Sequence, residues 1–170
     1  MFDIFGAITE RNRYASWIEA ERAQRKPAMD RGENQCVRCG WCCARRTCVP
    51  TPEELPAIAA HLGLEVAELI RRYMVGDRMF GHNFLRFANA AQGDVLGQFL
   101  SDLRTYDRGD CLLYQDGGCL IWLVRPKDAQ DQVCWEENGS SHEAIESWAD
   151  GEMEKFGVKD FSEECDYEDW

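Results

Sequence analysis

Four of the nine cysteines fall within eight residues, Cys36-Val-Arg-Cys39-Gly-Trp-Cys42-Cys43, and this run constrains the chain more than any other feature. A Cys-x-x-Cys pair can present both sulfurs to one ion, because residues three apart meet across a turn or a first helical turn. Gly40 allows a positive φ angle and a close approach of backbone to such an ion. In helical geometry Cys36, Cys39 and Cys43 share one face and Cys42 stands to its side. The cluster alone cannot complete two tetrahedral sites. The next donors along the chain are Cys111 and Cys119, which flank Gln115-Asp116-Gly117-Gly118. That segment reads as a β-hairpin with Asp116-Gly117 at its turn, which brings the two thiols together.

The remaining cysteines are Cys48, Cys134 and Cys165. An odd count fits a disulfide scaffold poorly, and the first residues show neither a basic stretch nor a continuous apolar run of the secretory kind. The expected location is therefore the cytoplasm, where dense cysteine more often signals metal or redox chemistry. Arg38, Arg45 and Arg46 crowd the cluster, and nearby cations favour thiolates. Cys165 is read as a small buried hydrophobe, and Cys48 stays between that reading and ligation. Of the three histidines, His61 and His142 are expected to face solvent, which leaves His82 as the one candidate ligand.

Thiolate donors select zinc or an iron–sulfur cluster over magnesium, calcium or manganese. The formal charge of −12 excludes other function classes by its distribution. Residues 131–170 carry 14 acids against Lys155 and Lys159, whereas the first 130 residues balance. Such a chain has no basic surface for nucleic acid or anionic lipid. No run approaches the roughly 18 apolar residues of a membrane span. The acidic end reads as a solvated face or as a docking surface for a basic protein partner.

Hydrophobic periodicity places helices around the cysteines. An N-terminal amphipathic helix carries Tyr14, Trp17 and Ile18 and stops at Pro27. Thr51-Pro52-Glu53-Glu54 is a helix start in which Glu54 returns a capping hydrogen bond. The helix is expected to run to about His61, with a kink or short first turn at Pro56 and Gly63 beyond its end. A second helix over residues 65–75, ended by Gly76, completes a helical hairpin. A strand is expected over residues 83–87, a short helix over 95–103, and a last helix from His142 to Gly157 carrying Ile145, Trp148, Ala149, Met153 and Phe156. The predicted class is α+β and mainly helical, with a small β-hairpin and an irregular metal-binding core. Residues 1–33 form an N-terminal helical extension, 34–135 the cysteine-cluster domain, and 136–170 an acidic helix and tail packed on it.

The segment Cys36-x-x-Cys39-Gly-x-Cys42-Cys43, followed by a helical hairpin, then Cys111 and Cys119, then Ile121-Trp122-Leu123-Val124-Arg125-Pro126, resembles the YkgJ-like cysteine-cluster family, described as a zinc- or iron-chelating domain. The likeness spans roughly residues 34–135. Two departures stand out: Trp122 replaces a tyrosine, and Ala129-Gln130 stands where the family carries Cys-Arg, so that Cys134 is the candidate replacement. The resemblance implies metal ligation by Cys36, Cys39, Cys43, Cys111 and Cys119, with Cys42 and Cys134 next. It also admits an enzyme of the flagellin lysine N-methylase kind. The sequence shows no Gly-rich phosphate loop, Gly-x-Ser-x-Gly or His-Glu-x-x-His, which favours an electron-transfer or accessory subunit, with a structural zinc interaction module as a further alternative.

Overall fold

A computed structural model describes Cys43 and residues 47–131 and 141–159. The N-terminal helix, Cys36, Cys39, Cys42, Cys134 and Cys165 lie outside the described residues. The described fold is α+β. Four α-helices of 7, 8, 5 and 5 residues accompany two antiparallel hairpins, so helix does not dominate it.

The helix start at Thr51 forms as its sequence dictates. The Glu54 carboxylate accepts from the Thr51 N–H at 2.8 Å. With prolines at positions 52 and 56, the first turn, Pro52–Glu54, is 3₁₀, and α1 follows over Leu55–His61. Gly63, at φ +68°, lets the chain reverse, and the Leu64 amide returns to the Ala59 carbonyl at 2.9 Å. The second helix, α2, covers Val66–Tyr73 and packs on α1. Leu55, Ile58, Leu69 and Ile70 bury their side chains in one core.

The helix expected through Val75 stops at Tyr73, and the chain passes directly into strand β1, Met74–Met79. It pairs antiparallel with β2, His82–Phe87, through a two-residue turn in which Phe80 and Gly81 both have positive φ. Burial explains why β1 looks helical in sequence. Its first four residues are all buried, so the polar/apolar alternation that marks a half-exposed strand is missing. Met74 faces the main core, while Val75 packs with Ala88 and Leu100 in a second, smaller one.

Gly76 is not a helix terminator. Residues 98–100 lie against it: its N–H donates to the Gln98 carbonyl and its carbonyl accepts from the Leu100 N–H, both at 2.8 Å. A Cβ there would meet Phe99 Cδ2 at 2.9 Å and Met153 Cε at 2.6 Å. The helix expected over residues 95–103 is absent. Turns take its place, held by Arg104, which binds Asp94, Asp107 and the Ala91 carbonyl. The last helix is also shorter than expected. Strand β3, Tyr114–Gln115, pairs with β4, Gly118–Cys119, across Asp116-Gly117. Helix α3 covers Lys127–Asp131 and α4 His142–Glu146. After α4 the chain turns at Gly151 (φ +73°) and resumes as a 3₁₀ turn, Met153–Phe156. Ala149 is exposed, whereas Trp148 is buried edge-on against Phe156 at 5.8 Å.

Inside the sheet, Arg86 and Asp77 form a buried ion pair, Nε to Oδ2 at 2.7 Å. The guanidinium also donates to Thr47 Oγ1, Gln92 Oε1 and the carbonyls of Phe87 and Thr105. Removing one partner of a buried pair leaves the other charge uncompensated. Arg86→Met is therefore expected to lower unfolding free energy by about 3–5 kcal/mol, and adding Asp77→Leu to recover part of that loss. Urea denaturation of the two variants measures both. Gly76→Ala, which drives a methyl into Phe99, is expected to cost about 1–3 kcal/mol, read as a lower midpoint at unchanged slope.

Candidate metal centre

The site is built on residues 47–50, a segment with no regular structure of its own and a partner at every step. Thr47 receives Arg86 at 3.0 Å. The Cys48 carbonyl accepts from the Phe87 N–H at 3.3 Å. The Val49 N–H donates to Asp128 Oδ2 at 2.8 Å, and the Pro50 carbonyl accepts from the Trp148 indole at 2.9 Å. Asp128, buried in α3, is further held by the Ser141 hydroxyl at 3.0 Å. Helix α3 is tied to the start of α1 as well, since Glu54 accepts from the Lys127 N–H at 2.8 Å. The strand pair, α3 and the α4 region thus grip one short stretch of backbone from different sides.

Cys43 and Cys111 meet directly. The Cys111 N–H donates to the Cys43 carbonyl at 2.7 Å, while the next amide, Leu112, donates to Ala88 at 3.0 Å. The β3–β4 hairpin is shorter than expected and leaves Cys111 outside its ladder, in an isolated bridge with Asn89. It nevertheless folds Cys119 back, opposite Tyr114. Cys43, Cys48, Cys111 and Cys119 all line one cavity, closed by Leu113, Ile121, Trp122, Arg125 and Ala129 among others. No disulfide joins any two of the four. Of the expected ligands, the structure therefore brings Cys43, Cys111 and Cys119 together. It adds Cys48, which spacing alone left undecided because it lies outside the compact cysteine run.

Among the described residues, the cavity wall carries no carboxylate and no imidazole. Desolvation pushes the Cys48 thiol well above its ordinary value, and Cys111, Asp128 and Cys119 push it the same way. Desolvation is also the main cause raising Cys111 to about 11, with Cys119 adding to it and backbone amides and Arg86 opposing it. Arg125 lies over the Trp122 ring at 3.9 Å and donates from Nη1 to the Trp122 carbonyl at 2.9 Å. Its buried Nε has no hydrogen-bond partner among the described residues. A sulfur-only donor set with an unused guanidinium N–H in its wall fits a soft, thiolate-bound ion, whose ligand sulfurs accept hydrogen bonds. As they stand, no three Cys, His, Asp or Glu side chains among the described residues are grouped tightly enough to hold an ion.

The histidines stand apart from this wall. His61 is exposed, with Nε2 3.1 Å from the Leu120 carbonyl. His142 is exposed beside Glu146 and the Phe80 ring. His82 opens β2 and does not line the cavity. Ala129, where the resemblance expects a cysteine, does line it. No protein-family model, no curated protein and no solved structure matches the chain.

Asp128 is the clearest lever on this geometry. Asp128→Ala strands the Val49 N–H and frees the segment that carries Cys48, at an expected cost of about 1–3 kcal/mol. Faster alkylation of Cys48, mapped by mass spectrometry, is expected to accompany the loss. An unchanged rate would show that Asp128 does not hold the cavity wall.

Proposed function

We propose that this chain is a thiolate metalloprotein that holds an iron–sulfur cluster or zinc and serves as a cytoplasmic electron-transfer or accessory subunit. The observation that carries the reading is the shared cavity: Cys43 from the early cluster and Cys111 and Cys119 from the hairpin region line one largely apolar pocket with no disulfide among them and no carboxylate among its described residues. These three, with Cys36, Cys39, Cys42 and Cys134, are the proposed ligands. The spacing shared with the YkgJ-like proteins supports the same assignment. A cluster would supply one-electron redox chemistry, and zinc would supply folding energy.

Two features support a docking role. Leu123 is 82% exposed, next to the cavity residues Trp122 and Arg125, and offers an apolar contact at the rim. Glu143, Glu146, Asp150 and Glu154 are exposed on the described part of the acidic end, a surface complementary to a basic partner.

The deciding measurement is iron, zinc and acid-labile sulfide per chain in protein purified without oxygen. Iron with equimolar sulfide and visible absorption is the result for a cluster, and zinc without sulfide the result for a structural site. Protein with neither refutes the reading. Cys111→Ser is expected to lower the metal-to-chain ratio and, for a structural ion worth roughly 10–16 kcal/mol in small zinc sites, to loosen the fold around it.

A further inference from the structure

The cavity contains one more thiol than the cysteine run and the hairpin supply. We propose that Cys48 is a metal ligand and, with Cys43, Cys111 and Cys119, closes a four-sulfur coordination sphere. The proposal rests on the reading of this cavity as a metal centre and adds a residue to it. Cys43, Cys111 and Cys119 are the expected ligands among the described residues, and structural zinc and iron–sulfur sites take a fourth Cys or His at each metal. Among the described residues, no histidine or carboxylate lines this cavity and Thr47 and Tyr114 are its only hydroxyl-bearing residues, so the remaining soft donor in the described wall is Cys48.

The backbone supports the same assignment. Thr47, Cys48 and Val49 are each anchored, to Arg86, Phe87 and Asp128 respectively, so the Cα of Cys48 is fixed relative to β2 and α3. A rotation about χ1 is then the main freedom its sulfur retains, and such a rotation moves the sulfur within the cavity without disturbing the chain. A cysteine that only filled space here would be replaceable by valine, which is similar in volume and apolar. A ligand would not be.

Ala129 provides a second handle. It stands on α3 in the wall of the same cavity, so a thiol placed there enters the same space. The donor lost at position 48 is therefore replaceable from position 129.

The test uses full-length protein stripped of metal and titrated with cobalt(II), whose thiolate charge-transfer absorption grows with the number of bound sulfurs. Wild-type protein is expected to develop that absorption. Cys48→Val and Cys48→Ser are expected to lose the share of one thiolate and to weaken metal binding by more than the roughly 10–100-fold typical of losing an outer-shell contact. Cys48→Val/Ala129→Cys is expected to regain both. A valine variant with wild-type absorption and affinity overturns the assignment of Cys48 and leaves the metal centre standing. Wild-type protein that develops no thiolate absorption overturns the metal centre itself, and Cys48 with it. If the variants do not fold, alkylation of the wild type decides. Chelation is expected to speed modification of Cys48 together with Cys111 and Cys119, and a Cys48 rate indifferent to chelation overturns the proposal.

Discussion

A guanidinium shut inside a protein needs an anion and acceptors on all sides, and the way Arg86 obtains them organises the rest of this structure. Its ion pair with Asp77 ties β2 to β1, while its remaining N–H groups reach Thr47, Gln92 and Thr105. Asp77 in turn accepts from the Arg78 amide and the Thr105 hydroxyl, so the pair is solvated by protein groups rather than by water. Left incomplete, such a network costs several kcal/mol; complete, it fixes geometry. What it fixes is the relation of the 47–50 segment to the strand pair. Asp128 and Trp148 then hold the same segment from the opposite side. The cavity wall is thus defined by buried polar contacts, and the thiols are carried on it.

The local signals in the sequence translated well wherever short-range chemistry decides structure. The capping carboxylate of Glu54, the proline-shortened first turn, the Gly63 reversal and the Asp116-Gly117 hairpin all form where turn and cap chemistry places them. The misreadings share a cause, which is that long-range packing overrode local pattern. β1 is buried on both faces and so lacks alternation, and Gly76 is small because Phe99 and Met153 need the space rather than because a helix ends there. The turn at Phe80-Gly81 carries a bulky aromatic where Asn or Asp is the usual signal. Gly151 divides a stripe that is helical in period but not continuous in the chain.

The candidate site divides in the same way. Two cysteines on either side of an Asp-Gly turn are legible as parts of one site, although the short ladder pairs Cys119 with Tyr114 and leaves Cys111 to a bridge with Asn89. That Cys48 joins them is not legible, since its position follows from contacts with Arg86, Phe87 and Asp128, each 38 or more residues away in sequence. No periodicity could report that. The resemblance pointed to a vacancy at Ala129 and to Cys134 as its remedy, while the cavity places Cys48 and Ala129 on a common wall.

The charge around the cavity bears on what it can hold. A centre bound by four thiolates carries net negative charge, and burying that charge without compensation is costly. Arg86 already lowers the cost of ionising Cys111, although desolvation outweighs it in the bare thiol. Arg125 also lines the cavity, over the Trp122 ring, and its buried Nε has no hydrogen-bond partner among the described residues. Such a donor is costly to maintain unless something acquires negative charge beside it. Under the proposed reading, a metal-bound sulfur would supply an acceptor, and the hydrogen bond would offset part of the charge and raise the reduction potential of an iron–sulfur centre. Stacking on Trp122 holds the donor in place whether or not the sulfurs are ionised. Arg125 is therefore the cavity residue whose buried donor a thiolate-bound ion, as proposed, would put to use.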